Sequence, residues 1–262
     1  MNRIDKKFKV LKKKREKAFI AFVTAGDPTL AITKKIIFEL EKNGADIIEL
    51  GIHFSDPLAD GPTIQRSSER ALKNKVNIDS VCRLVKDVRR SIDTPIAFLT
   101  YYNLLHHYNL RNFVKKATSS GVDGVIVPDL PIEESLSLRK IAKTHNFSII
   151  HLLAPTSSSK RIKKIAKASS GFIYYVSITG TTGARKELPK EITKTIKKIK
   201  RMAKKPVCVG FGISKSEQVR SISKLADGVI VGSAIVKIVE SNLSNKNKIA
   251  EKVGNFVKRL RQ

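Results

Sequence analysis

The sequence predicts an α/β fold, a (β/α)8 TIM barrel that forms a single domain over residues 1–262 with a short extra helix at the N-terminus. Three observations predict it. Apolar runs of strand length alternate with longer amphipathic segments of helical period from one end of the chain to the other. The runs are continuously apolar, as in Gly124-Val125-Ile126-Val127 and Ser148-Ile149-Ile150-His151-Leu152-Leu153. Strands covered on both faces in a parallel sheet read this way. Eight such runs occur with no Pro/Gly/Ser-rich linker between them, in a length that α/β barrels of about 250 residues fill as one unit. A doubly wound open sheet is the competing architecture. It would usually carry G-x-G-x-x-G after its first strand, and that motif is missing there.

In chain order, Met1–Lys17 is basic, includes Lys12-Lys13-Lys14-Arg15, and lacks the apolar stretch of a secretory signal. Asp5 and Glu16 argue against a transit peptide. Ile4, Phe8 and Leu11 are spaced for an amphipathic helix packed on the domain. The expected strands are Phe19–Thr24, Asp46–Gly51, Ile96–Tyr101, Gly124–Pro128, Ser148–Leu153, Phe172–Ser177, Val207–Gly210 and Gly228–Val231. Asp27-Pro28 reads as a helix start, with Asp as N-cap and Pro at the first helical position. Asp79 precedes a helix over Val81–Ile92. Ile132 to His145 reads as another, with Glu133 and Glu134 in its first turn, where the helix dipole favours anions. Ser214 with Glu217 has capping-box spacing. Gly44 and Gly121 stand where helix C-caps belong.

Composition excludes several classes. A hydrophobic share of 41% and an aromatic share of 6% rule out a disordered chain, and 14 Gly with 9 Pro rule out a collagen-like one. No apolar run approaches the ~20 residues that cross a bilayer, so no membrane partner is expected. Cys82 and Cys208 lie far apart in apolar-periodic segments and read as reduced core thiols. They suit a reducing compartment, the cytoplasm or a plastid stroma. The 51 Lys+Arg against 23 Asp+Glu give a net charge of +28. Such a field attracts polyanions. The lysines, however, fall on the solvent side of the helical patterns (Lys194, Lys197, Lys198, Lys200), and a drift toward Lys, Ile and Asn accounts for them without a nucleic-acid ligand.

In a barrel the active site lies at the carboxyl ends of the strands. Two regions there differ from short loops. The first is Glu49-Leu50-Gly51-Ile52-His53-Phe54-Ser55-Asp56-Pro57-Leu58-Ala59-Asp60-Gly61-Pro62-Thr63. Glu49 is a carboxylate inside an apolar strand. Turned into the barrel mouth, it would be desolvated and able to move protons near neutrality; paired with a lysine, it would be structural. Asp56 and Asp60 follow on the loop and fit an acid/base partner, helix capping or metal binding. No His/Cys cluster with metal-ligand spacing accompanies them, so no metal is expected. The second region is glycine at the last strand ends: Gly180-Thr181-Thr182-Gly183 on a long loop suited to a lid, Gly210-Phe211-Gly212, and Gly232-Ser233-Ala234 opening a helix. Bare amides at a helix start bind anions, and loops after strands seven and eight often hold phosphate. Phe22, Leu99, Ile126, Phe211 and Tyr174 would line the space between. Together these residues imply a phosphorylated small molecule with an apolar or aromatic part.

These motifs resemble the tryptophan synthase alpha chain family, whose signature is similar to Glu49-Leu50-Gly51 with Phe54–Gln65. Phe22–Pro28, Pro128-Asp129-Leu130-Pro131 with Glu133-Glu134, and Gly180–Gly183 match as well. Gly210–Ser214 and Gly232–Val236 complete a likeness that covers the whole chain in order. The resemblance implies a lyase that splits indole-3-glycerol phosphate into indole and glyceraldehyde 3-phosphate with no cofactor on this chain. Glu49 matches the general acid/base and Asp60 the residue that accepts the indole N–H. Thr182 matches a lid residue bonded to the second carboxylate, and Tyr174 a residue beside Glu49. Gly183, Gly212, Gly232 and Ser233 match the phosphate grip; Phe22, Leu99 and Phe211 match the indole sandwich. The family works with a pyridoxal-phosphate beta chain in an α2β2 tetramer and hands it indole. Loop two, Tyr101-Tyr102-Asn103 and the lid are expected to face that partner. His53 stands where most members carry proline. One rival reading is another phosphate-binding barrel enzyme of amino-acid biosynthesis, against which Glu49 with the Asp56–Asp60 loop argues. The other is a non-catalytic nucleic-acid-binding barrel, which predicts salt-sensitive binding and no role for Glu49.

Overall fold

The computed structural model describes residues 1–57, 59–176, 190–210 and 212–262. Parallel strands run as β1 (Ala18–Thr24), β2 (Ile47–Gly51), β3 (Ile96–Leu99), β4 (Gly124–Ile126), β5 (Ser148–Ile150), β6 (Leu152–Leu153), β7 (Ile173–Val176), β8 (Val207–Gly210) and β9 (Gly228–Val231). Their order is β5-β4-β3-β2-β1-β9-β8-β7-β6. The two outermost members, β5 and β6, are halves of the expected fifth strand, parted at His151. The first half pairs with β4 and the second with β7. The sheet therefore closes on itself through this one segment, and eight expected strands become one barrel.

Strand side chains alternate between two apolar bodies. Phe19, Ala21, Val23, Ile48, Leu50, Phe98, Val125, Ile149, Tyr175, Val209 and Val229 point outward and pack under the helices. Ala18, Ile20, Ile47, Ala97, Ile126, Ile150, Cys208 and Ile230 fill the interior. The N-terminal helix, Arg3–Lys14, joins this second body through Ile4, Phe8 and Leu11. Phe8 meets Phe172 with ring centroids 5.8 Å apart. The Asn2 side chain caps the helix at Ile4 N and donates to the carbonyls of Asp123 and Asn146, just ahead of β4 and β5. The extra helix is thus a plug in the amino-terminal mouth. Each fully buried side chain of this size contributes about 1.5–3 kcal/mol.

The rim at that end repeats one device. Asp46, Asp123 and Asp227 each accept the first free N–H of a neighbouring strand, from Phe19, Ile96 and Val207. Each is also ion-paired, to Arg261 at 3.0 Å, Arg89 at 2.8 Å and Lys200 at 2.7 Å respectively.

Several helix starts differ from expectation. The first barrel helix spans Leu30–Lys42 and is capped by Thr29. Asp27 is instead engaged by Arg70, so its side chain is not free to cap. The helix Ile78–Val88 is capped by Asn77, with Asp79 inside its first turn. The helix Leu136–Thr144 begins beyond Glu133 and Glu134, and Glu133 pairs with Arg161 at 2.6 Å. Ser214 and Glu217 form no capping box; the helix is Ser216–Ser223, and Gln218 Oε1 accepts from Ser214 N and Lys215 N. The expected C-cap glycines stand, with φ of +94° at Gly44 and +92° at Gly121. The wide gap between β2 and β3 holds two helices, Pro62–Lys73 and Ile78–Val88. Among the described residues no helix is long and apolar enough to cross a membrane.

Candidate active site

At the carboxyl mouth the interior turns polar. Ile47, Glu49 and Gly51 share the inward parity of β2, and Glu49 lies between Phe22 of β1 and Ala97 of β3. Glu49 is fully buried, and neither carboxylate oxygen has a hydrogen-bond partner among the described residues. No lysine among the described residues pairs with it. An ionised carboxylate in such a place is costly, so burial holds the proton on and raises its pKa to about 8.

Glycines at the strand ends make room for aromatic rings beside it. A Cβ on Gly51 would lie 2.6 Å from Phe22 Cζ, and one on Gly232 would lie 3.3 Å from Phe22 Cδ1. A Cβ on Gly210 would lie 2.8 Å from the Tyr174 hydroxyl. Tyr174 and Leu99 are partly buried and cap the interior cluster, whereas Ile126 is wholly buried in the core beneath. Burial, and then the negative charges of Glu49, Cys208 and Asp60, push the Tyr174 phenol well above its usual range. The phenol therefore stays protonated in the field of both carboxylates.

Asp60 sits in a different environment. Tyr101 Oη donates to its Oδ2 at 3.0 Å and accepts from Ala59 N at 3.1 Å. Phe54 stacks on the Tyr101 ring at 5.4 Å. Gln65 Nε2 donates to the Asp60 carbonyl at 2.9 Å. Burial raises the Asp60 pKa, and the Tyr101 hydrogen bond opposes the rise. Asp56 is exposed and, among the described residues, is held by Ser55 alone at 2.6 Å, so it does not join the mouth. Outside the loop, Phe54, Ser55, Asp56, Pro57, Glu69 and Leu72 line an open cavity of about 230 Å³. His53 is buried, 7% exposed, and burial lowers its pKa while a bond to the Val76 backbone opposes this. It is a neutral packing residue rather than a charged group on the rim.

The opposite corner is built of backbone. Gly232 caps the helix Ser233–Glu240 without a side-chain bond. The first bonds back to its carbonyl come from Ile235 N at 2.8 Å and Val236 N at 3.1 Å. The amides of Ser233 and Ala234 precede that ladder and face any anion placed there. Gly212 has φ +41° with open space about its Cβ direction. Thr182, Gly183 and Phe211 lie outside the described residues. Among the described residues no group of three or more His, Cys, Asp or Glu could hold a metal.

Sequence reasoning missed the part Tyr101 plays beneath Asp60; a hydroxylated aromatic ending the next strand was its signal. It also missed the purpose of Asp129, whose carboxylate accepts from Tyr102 N at 2.9 Å and so caps the helix Tyr102–Tyr108. The arrangement can store a proton in an apolar chamber, hold a second carboxylate across an aromatic wall, and grip an anion.

A family model described as "Tryptophan synthase alpha chain" matches residues 8–262. The tryptophan synthase alpha chain of Geotalea uraniireducens is 47% identical over 261 residues, covering 100% of this chain and 97% of that one. The crystal structure of tryptophan synthase subunit alpha from Legionella pneumophila superposes with a TM-score of 0.93 at 36% identity, covering 100% of this chain and 98% of that one. A structure of the tryptophan synthase a2b2 complex from Pyrococcus furiosus, described in terms of its mutual activation, gives 0.88 at 42% identity, covering 93% and 97%.

Proposed function

This chain belongs to the tryptophan synthase alpha chain family, and on that premise we propose how its residues carry out the lyase reaction of tryptophan biosynthesis. The substrate is indole-3-glycerol phosphate; the products are indole and D-glyceraldehyde 3-phosphate. The phosphate sits on the amides of Ser233 and Ala234 and beside Gly212, with Gly183 completing the grip. Phe22, Leu99 and Phe211 flank the indole ring.

Glu49 starts protonated. Its proton moves to indole C3, and the Asp60 carboxylate accepts the ring N–H and offsets the positive charge that develops there. The bond from C3 to the glycerol carbon then breaks, its electron pair returning to the ring. The hydroxyl on that carbon gives its proton to Glu49 as the carbonyl of the aldehyde forms. Glu49 ends as it began, so protons and electrons balance and no step calls on a cofactor. Tyr174 keeps its proton beside Glu49, and Thr182 matches the family residue that hydrogen-bonds the second carboxylate, here Asp60. Two carboxylates in contrasting surroundings are the usual way to divide such roles.

One observation carries this reading: a carboxyl with no partner among the described residues, buried at the mouth of the barrel and holding its proton up to about pH 8. The exposed outer side of loop two, Asp56 included, is where a beta chain would dock, as the Pyrococcus furiosus relative assembles as a2b2. Two buried thiols suit a cytoplasmic setting. An indole-release assay with and without a beta chain tests the assignment. Glu49→Gln should lower turnover by about 10²–10⁴-fold with the fold intact; near-full turnover in that variant would refute the role.

A further inference from the structure

A chain of ion pairs joins the two halves of the proposed site on the outside of the barrel. The helix Pro62–Lys73 begins two residues after Asp60 and is keyed to the end of β1 three times. Ser67 Oγ meets Thr24 Oγ1 at 2.7 Å, Arg70 grips the buried Asp27 at 2.7 and 2.9 Å, and Asn74 donates to the Pro28 carbonyl at 2.7 Å. The same helix then reaches sideways. Arg70 donates to Glu240 Oε1 at 3.1 Å, and Arg66 holds both Glu240 oxygens at 2.6 and 3.0 Å. Glu240 is the last residue of the helix Ser233–Glu240, whose first turn is the anion corner.

We propose that Glu240 is a positioning residue that couples the anion corner to Asp60. Resting on the lyase reading, it links the phosphate end of the substrate to the carboxylate at the indole end. An eight-residue helix is a rod of about 12 Å. An anion that draws in its amino end moves its carboxyl end as well. There the two guanidinium groups on one carboxylate transfer the displacement to Pro62–Lys73 in a fixed direction. Gln65, in the first turn of that helix, holds the Asp60 carbonyl and completes the path. A half-exposed ion pair contributes little to stability, so geometry is what this one supplies.

Glu240→Gln tests it, because it keeps the Asp27–Arg70 pair and the side-chain shape. Hydrogen exchange is followed on the full chain with and without saturating glycerol 3-phosphate. In the parent chain the ligand should slow exchange over residues 232–236 and also over 60–66. In Glu240→Gln the first protection should stay and the second vanish. kcat should fall roughly 10-fold with KM little changed, as for a misplaced catalytic group, and Glu240→Asp should restore part of it. Undiminished protection of 60–66 in Glu240→Gln, or protection of 232–236 alone in the parent chain, would overturn the coupling while leaving the phosphate assignment intact. Protection of neither segment in the parent chain would remove the phosphate assignment and the coupling together.

Discussion

Glu49 and Asp60 show how surroundings divide two carboxylates. Glu49 has no donor within reach among the described residues and keeps its proton; Asp60 has the Tyr101 hydroxyl, which favours its ionised form. The Glu49 pKa has a thermodynamic consequence. Its folded value of about 8 lies above the ordinary 4.5, so between those values the folded state binds the proton that the unfolded state releases. Stability contributed by this group is present below the lower value and is lost as pH rises toward the upper one. The loss is at most about 5 kcal/mol at 1.36 kcal/mol for each pH unit. In denaturant titrations from pH 5 to 8, Glu49→Gln should lose that slope and be the more stable protein at pH 8. A slope equal to that of the parent would show that Glu49 is solvated. The sequence left the direction of Glu49 open, because Ile48 and Leu50 on one face of β2 are as apolar as Ile47 on the other; that no basic group among the described residues reaches it was not legible either, because such a partner could have come from any of seven other strands.

Among the elements, the strand ends and the helix after β9 do most to shape the site. In sequence, Gly210 and Gly232 read as parts of the phosphate-binding strand ends and Gly51 as part of the loop-two signature. The structure adds that they yield volume to Phe22 and Tyr174. Gly232 serves both purposes, since it also exposes the first amides of Ser233–Glu240. A carboxylate placed there would face the proposed phosphate position and the Phe22 ring at once. Gly232→Asp should therefore raise KM for indole-3-glycerol phosphate by about 10-fold or more, the loss of at least one charge-assisted hydrogen bond of about 1.5–3 kcal/mol. An unchanged KM in a steady-state assay would count against the grip. Helix starts were the least legible elements. Several polar residues compete at each start, and tertiary partners decide among them, as Arg70 does for Asp27.

On the scale of the molecule, the barrel is closed at one mouth and open at the other. The N-terminal helix fills the first with Ile4, Phe8 and Leu11, leaving the second for chemistry. If residues 1–262 fold as one domain, that plug and the barrel melt together. Phe8→Ala, at a side chain 8% exposed, should cost about 3–5 kcal/mol and shift one cooperative unfolding transition without splitting it. Two separate transitions by calorimetry would show the helix to be an independent unit. The basic side chains that give the +28 charge take two kinds of place. Buried aspartates such as Asp123 are engaged by basic partners at the amino-terminal rim, while lysines such as Lys194 and Lys197 stand in solvent on a helix that buries Ile192, Ile196 and Ile199.

The succession of strands and helices, the amphipathic N-terminal helix, the carboxylate inside an apolar strand and the family signature were all determined by the sequence alone. They depend on periodicity and on contiguous motifs, which are local properties of the chain. Three things were decided only by the tertiary structure: the closure of the sheet through the two halves around His151, the contrast between a Glu49 without a partner among the described residues and a Tyr101-bonded Asp60, and the Asp27–Arg70–Glu240–Arg66 clasp. Each joins residues that the chain separates by tens to more than a hundred positions. Their meeting depends on barrel geometry, which local pattern does not encode.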